Sequence, residues 1–111
     1  MIEQVLQALV EPNRREILRL LAHQQLAASD IASHFDITRP AVSQHLKVLL
    51  EAGLVTVTKQ GTSRIYQIRD EGLIELREYL DSFWDKHLLA LKRVAEAEEK
   101  RLVQGSDDNL Q

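Results

Sequence analysis

The sequence contains no cysteine among its 111 residues. This absence excludes disulfides, thiolate metal sites and cysteine nucleophiles. The sequence also has no apolar run near the roughly 18 residues that a membrane-spanning helix needs, and no basic leader followed by a small-residue cleavage site. We therefore expect a cytoplasmic protein with no membrane partner.

Catalytic arrangements are missing as well. The sequence has no glycine-rich phosphate loop. Without cysteine, a nucleophile would have to be a serine or threonine paired with a histidine. Ser43 and His45 lie two positions apart in a predicted helix, and side chains with that spacing do not face each other. We predict that the protein is not an enzyme and uses no cofactor.

Positive charge is concentrated in the middle of the chain, although the net charge is −3. Residues 37–69 carry five arginines and lysines against Glu51 alone, whereas residues 1–36 and 70–111 each have an acidic excess. A basic segment between acidic ends is typical of a chain that presents one surface to nucleic acid.

Hydrophobic periodicity predicts four short helices, a β-hairpin and a long last helix. In the fourth helix, Thr38 is a suitable N-cap, Pro40 falls in the first turn and Gly53 ends the helix. One apolar stripe runs along this helix and consists of Val42, Leu46, Leu49 and Leu50. The alternation in "LVTVTKQGTSRIYQIRD" predicts two strands joined around Gly61.

This order of elements predicts a winged helix-turn-helix fold, mainly α with a small β-hairpin and a long C-terminal dimerisation helix. The helix-turn-helix would consist of a third helix in "ASDIASHF", a three-residue turn at Asp36–Thr38 and the fourth helix. We expect the domain to span residues 1–102, followed by a disordered tail at residues 103–111.

The polar face of the fourth helix is the candidate DNA-binding surface. Hydroxyl, amide, imidazole and cationic groups all bond base edges or phosphates in a major groove. Any exposed helix face is polar, so the prediction depends on the order of the elements and on the confinement of excess positive charge to them. The predicted DNA-binding residues of the helix and hairpin are Thr38, Arg39, Pro40, Ser43, Gln44, His45, Lys47, Lys59, Thr62 and Arg64.

Three segments, "EPNRREILRLL", "DIASHFDITRPAVSQHLKVLLEAGLV" and "GTSRIYQI", are similar to the ArsR/SmtB family of winged-helix repressors. The similarity covers roughly residues 2–95 and is most specific in "PAVSQHLKVLLEAGLV". It implies a bacterial or archaeal homodimer that binds an inverted repeat in double-stranded DNA and blocks transcription. It also implies that the fourth helix faces the groove and that Lys59 and Arg64 belong to the wing.

The chain departs from the metal-sensing members of that family at both of their sites. The segment "LAASDIA" stands where those members have a Cys-x-Cys motif, and Asp70-Glu71-Gly72 stands where they have Asp-x-His. Phe83 and Lys86 occupy the positions expected for partner ligands. We therefore predict no metal site; a sensor that uses only nitrogen and oxygen ligands, such as those in Asp85-Lys86-His87, is an alternative.

Large apolar residues of the last helix favour a homodimer. We expect this helix, together with the first, to pair across a two-fold axis and bury on the order of 2,000 Å² or more, with part of the stripe covering its own domain. The predicted interface residues are Val5, Leu6, Leu80, Phe83, Trp84, Leu88 and Leu91. The acidic overall charge leaves another class open, a dimeric protein-interaction module that has lost DNA binding. A protein or small-molecule effector is compatible with either class.

Overall fold

A computed structural model describes residues 2–83 and 90–101. The predicted fold class is confirmed, because the chain is mostly helical and has the winged helix-turn-helix order of elements. These elements are α1 (Ile2–Val10), α2 (Pro12–Leu21), β1 (Leu26–Ala27), α3 (Ala28–Ala32), α4 (Arg39–Glu51), β2 (Val55–Gln60), β3 (Ser63–Ile68) and α5 (Asp70–Phe83). Residues 90–101 are helical as well. Within the described ranges, no helix combines the length and apolarity needed to cross a bilayer.

The chain divides into two compact units, Met1–Arg77 and Glu78–Gln111. The first unit contains the helix-turn-helix and the sheet. The second contains the end of α5 and the helical residues 90–101. The prediction of one domain through residue 102 stays a prediction, and the predicted tail lies outside the described residues.

The apolar stripe of α4 lies in the core of the first unit. Val42, Leu46 and Leu49 are at most 2% exposed, which confirms the predicted stripe, and Leu50 is half-buried at its edge. Burying an aliphatic side chain of this size contributes about 1.5–3 kcal/mol, so three of them fix the rotation of α4 about its axis. The core residues are Val5, Ala8, Ile17, Leu21, Ile31, Val42, Leu46, Leu49, Leu54, Val55 and Tyr66.

Two arginines of α2 hold the end of α1. The last four carbonyls of a helix have no partner within the helix, and α1 has no basic residue in its own last turn. Arg14 and Arg15 donate at 2.7–3.2 Å to the carbonyl oxygens of Gln7, Ala8, Leu9 and Val10. The guanidinium charges also oppose the negative end of the helix dipole. The corner between the two helices is therefore closed by side chains from the second helix.

The wing belongs to a three-stranded antiparallel sheet with the order β1-β3-β2. Its hairpin was predicted from the alternating pattern, and Gly61 turns it with a φ of 62°. The additional strand β1 pairs Leu26 with Tyr66 and Ala27 with Ile65. Two residues are too few for an alternating pattern, so the sequence gives no local indication of this strand.

The helix-turn-helix has a longer connection than predicted. The third helix ends at Ala32, so residues 33–38, rather than Asp36–Thr38 alone, join it to α4. The reason is the pattern of backbone hydrogen bonds formed by the residues that follow α3. The His34 and Phe35 amides donate to the Ile31 and Ala32 carbonyls at 3.1 and 3.2 Å, which tightens the chain into turns instead of continuing the helix.

Two glycines bring the end of α4 against the start of α5. Gly53 ends α4 with a φ of 76°, and the amides of Gly53 and Leu54 donate to the Leu50 and Leu49 carbonyls at 3.0 and 3.1 Å. This is the arrangement of a glycine-terminated helix. A Cβ on Gly72 would lie 2.2 Å from the Gly53 carbonyl oxygen. Only a residue without a side chain fits at that contact.

We predict that Gly72→Ala destabilises the protein by about 1–3 kcal/mol, because the added methyl group meets backbone that has to move. The measurement is the free energy of unfolding in urea. Glu71→Ala is the matched control, since the Glu71 side chain is 71% exposed and its ion pair with Arg69 is long at 4.0 Å. The close glycine contact would be contradicted if both variants were as stable as the parent protein.

Candidate nucleic-acid interface

The exposed face of α4 lies opposite its buried stripe. Ser43, Gln44 and Lys47 are exposed, as the helical spacing predicts. Thr38 caps the helix by accepting a hydrogen bond from the Ala41 amide at 3.2 Å, and Pro40 lies in the first turn. The start and rotation of the helix are thus set by local capping and by core burial, and both direct the same polar side chains outward.

The wing presents two cations at matching positions on its strands. Lys59 and Arg64 are directly paired across the hairpin, and both are exposed, as is Thr62 in the turn. The turn at Gly61 holds them near the tip of the hairpin. The predicted wing residues therefore lie together on one end of the sheet.

Two cavities lie between the wing and the helix-turn-helix, with Arg64 in the wall of both. One has a volume of about 450 Å³ and includes Ser43 and Lys47 in its lining. The other, about 260 Å³, includes Arg39 and Thr62. Arg64 therefore lies near residues at both ends of the exposed polar face of α4.

Ser29 and Ser63, which are not among the predicted DNA-binding residues, also line the smaller cavity. Ser29 lies on α3 and Ser63 begins β3. Their hydroxyl groups are suitable phosphate ligands. The pairing of β1 with β3 brings them together, and that long-range contact has no local sequence signal.

The cations of this surface are free of partners in the described part of the chain. Arg39, Lys47, Lys59 and Arg64 form no ion pair or side-chain hydrogen bond there. By contrast, Arg14, Arg15 and Arg69 donate to backbone carbonyls. We call the four residues Arg39, Lys47, Lys59 and Arg64 the free cations. They leave positive charge available to an external anion.

His45 is placed differently from its prediction as a DNA-binding residue. Its side chain is only 17% exposed, and its Nε2 lies 3.6 Å from a Glu11 carboxylate oxygen. Its Nδ1 lies 3.3 Å from an Arg14 guanidinium nitrogen. The side chain is directed toward α2 because position 45 lies between the exposed face and the buried stripe. The assignment of His45 to the DNA-binding surface stays a prediction, and the structure places its side chain against Glu11 and Arg14.

The predicted dimer residues fall into four groups. Val5 is completely buried in the core of its own chain, so its assignment to the interface was wrong: the apolar face of α1 covers its own unit. Leu6 is half-buried. Leu80, Phe83 and Leu91 are 39%, 61% and 58% exposed, while Trp84 and Leu88 lie outside the described residues.

The positions considered for metal binding are only partly described. Across residues 2–83 and 90–101, no group of three or more His, Asp or Glu side chains is arranged to hold a metal ion. The Asp85-Lys86-His87 segment lies outside those ranges. At Gly72, the contact with the Gly53 carbonyl leaves no space for a ligand side chain.

Comparison with known proteins identifies the family. Residues 11–57 match the family described as "Bacterial regulatory protein, arsR family". The HTH-type transcriptional regulator Rv2034 of Mycobacterium tuberculosis is 45% identical over 92 residues, which cover 83% of this chain and 86% of that protein. The arsenical resistance operon repressor of Staphylococcus xylosus is 39% identical over 77 residues, which cover 69% and 74%.

A solved structure agrees with this result. It is a homodimeric winged helix-turn-helix DNA-binding domain from Mycobacterium bovis, described as a possible ArsR-family transcriptional regulator. Its TM-score is 0.62 at 31% identity, and the match covers 78% of this chain and 81% of that one. The fold and the exposed polar helix are those of a winged helix-turn-helix transcriptional regulator. The chain belongs to the arsR family of bacterial regulatory proteins.

We predict that Thr38→Ala lowers the free energy of unfolding by about 1 kcal/mol, because the first turn of α4 loses its side-chain cap. Thr38→Ser keeps a hydroxyl acceptor and should stay within a few tenths of the parent value. Thr62→Ala is the control, since Thr62 is exposed in the wing. Equal stability of the Thr38→Ala and Thr62→Ala variants would contradict the capping role.

Proposed function

We propose that the protein is a homodimeric repressor that binds an inverted-repeat operator in double-stranded DNA. The observation that carries this proposal is the grouping of the four free cations on two elements, α4 and the wing, beside an exposed hydroxyl and amide face. Unpaired cations are suited to phosphates, while hydroxyl and amide groups can read base edges. The names of the relatives, a transcriptional regulator and an operon repressor, support the same function.

Within this interface we assign base recognition to α4 and backbone contact to the wing. Gln44 lies opposite the buried stripe, so it should enter the groove most deeply. Its amide can bond adenine in a bidentate manner, which contributes roughly 1–3 kcal/mol of discrimination. Ser43 and Lys47 flank it. Arg64 lies across from Lys59 on the hairpin and is suited to a phosphate or to the minor groove.

We predict that Gln44→Ala and Arg64→Ala weaken DNA binding in different ways. Gln44→Ala should relax base preference at one position of each half-site and leave the salt dependence nearly unchanged. Arg64→Ala should weaken binding to all sequences alike and reduce the slope of log K against log salt by about one for each phosphate that is no longer neutralised. The measurement is binding to a duplex selected by the protein from a random library, compared with unselected duplex.

Symmetry adds a geometric expectation to the same experiment. Two copies of α4 related by a two-fold axis should lie about 34 Å apart, so the preferred bases should recur near one turn of the DNA helix.

Arg19→Ala is the matched control for Arg64→Ala, since the Arg19 side chain is 81% exposed and lies on α2. The assignment fails if Gln44→Ala, like Arg64→Ala, weakens binding to selected and unselected DNA equally.

The second unit is the proposed dimer contact. Phe83, Leu91 and Val94 are 61%, 58% and 66% exposed, and the Phe83 ring packs edge-on against Tyr79 with centroids 4.8 Å apart. Large exposed apolar residues of this kind are typical of surfaces that a partner covers. The solved relative from Mycobacterium bovis is itself a homodimer.

We predict that Leu91→Lys converts the dimer to monomer, because a charged side chain would be buried without a partner in the interface. Glu96→Lys introduces the same residue on the opposite side of the helical residues 90–101 and should leave the dimer intact. Sedimentation velocity distinguishes the two species. A Leu91→Lys protein that sediments as a dimer would remove Leu91 from the proposed interface.

The overall acidic charge favours a second candidate, a dimeric protein-interaction module without DNA binding. The two candidates differ in the salt dependence described above, because phosphate contacts release counterions and protein contacts do so much less. A metal sensor with nitrogen and oxygen ligands would instead lose DNA affinity when zinc is added and regain it with a chelator. We expect zinc to have no effect.

A further inference from the structure

His45 joins α4, the proposed recognition helix, to the corner between α1 and α2. It follows Gln44 in the sequence, yet Gln44 is exposed while the His45 side chain is 17% exposed. One step along a helix rotates the side chain by about 100°. That rotation turns residue 45 away from the groove-facing surface and toward α2.

The two ring nitrogens of His45 have complementary partners. An imidazole whose Nδ1 is unprotonated can accept a hydrogen bond from the Arg14 guanidinium, at 3.3 Å. The proton on Nε2 is then directed at the Glu11 carboxylate, at 3.6 Å. In that tautomer the ring accepts from Arg14 on one side and points its N–H toward Glu11 on the other. Both ring nitrogens therefore face groups of the protein itself.

The two partners are themselves fixed by the backbone. Glu11 caps α2 by accepting from the Arg14 amide at 3.1 Å. The Arg14 guanidinium donates to the Ala8 carbonyl through Nε at 2.7 Å and to the Gln7 carbonyl through Nη2 at 3.2 Å. The Arg14 guanidinium thus contacts both the end of α1 and His45 of α4, while the Arg14 amide is bonded to the cap of its own helix. His45 is attached to a rigid corner rather than to flexible side chains.

We propose that His45 is a positioning residue for DNA recognition, which holds α4 against Glu11 and Arg14 and so sets how Ser43 and Gln44 enter the groove. This inference rests on the proposed DNA-binding function. It differs from that function because Glu11 and Arg14 are outside the predicted interface. Substituting Glu11 or Arg14 should therefore change the preference for DNA sequence without removing any group that touches DNA.

The first test compares specific with non-specific binding. His45→Leu fills the same region without polar atoms. It should weaken binding to the library-selected duplex on the order of tenfold, with binding to unselected duplex and the salt slope nearly unchanged. His45→Gln retains a donor and an acceptor and should recover part of the affinity. A purely structural defect would lower binding to both duplexes together.

A double-mutant cycle locates the effect. Glu11→Ser preserves a good N-cap for α2 but is too short to reach the imidazole. Its effect on specific binding should not add to that of His45→Leu, because the two residues share one contact. Its effect should also fall short of adding to that of Gln44→Ala, because part of it acts through the Gln44 contact. It should add to that of Arg64→Ala, the control on the wing, which has no contact with Glu11.

A measurement without DNA separates this inference from the proposed function. Amide hydrogen exchange in α4 should become several-fold faster in His45→Leu and stay at the parent rate in Gln44→Ala, because His45 contacts Glu11 and Arg14 whereas Gln44 is exposed. If the parent protein selects no duplex, the proposed function fails while this measurement still decides the role of His45. Unchanged exchange in His45→Leu would overturn the inference. The inference would also be overturned if His45→Leu weakened binding to both duplexes equally and its effect added to that of Glu11→Ser. That result would mean that His45 contacts DNA directly.

Discussion

The rotation of α4 about its own axis determines what the rest of this surface can do. Val42, Leu46 and Leu49 are at most 2% exposed in the core, and a helix with one face buried must present the opposite face to solvent. Ser43, Gln44 and Lys47 are on that opposite face. A rotation of the helix large enough to bury one of them would expose aliphatic groups worth about 1.5–3 kcal/mol each. The core therefore specifies which polar residues of α4 are exposed, although none of the core members lies on the candidate interface.

The basic residues of the first unit divide by what they contact. Arg14 and Arg15 close the end of α1, and Arg69 donates to the Gly53 carbonyl at 3.2 Å. Arg14 and Arg15 thus stabilise the corner between α1 and α2, and Arg69 stabilises the end of α4. The four free cations face solvent instead, on α4 and the wing. The division explains how a chain with a net charge of −3 can present a basic surface: its acidic residues are concentrated elsewhere in the chain.

Local chemistry allowed much of this arrangement to be predicted from the sequence. The Thr38 cap, the apolar stripe and Gly53 each depend on residues within a few positions of one another, and all three were predicted correctly. Contacts between distant segments gave no such signal. The pairing of β1 with β3, the approach of Gly72 to Gly53 and the contact of His45 with Glu11 join residues far apart in the chain. The surroundings of His45 and Val5 were missed for the same reason, because helical spacing shows which face a residue is on but not which neighbouring helix covers it.

The central claim is that α4 and the wing bind the phosphate backbone through the four free cations. It is tested most directly by the salt dependence of the unaltered protein on a duplex that it selects from a random library. A dimer offers two sets of these cations, and each phosphate neutralised contributes about −0.9 to the slope of log K against log salt. We expect a slope of about −4 or steeper, and weak but equally salt-sensitive binding to unselected duplex. A slope near zero on the selected duplex would contradict the account, because it would show that these cations do not contact phosphate.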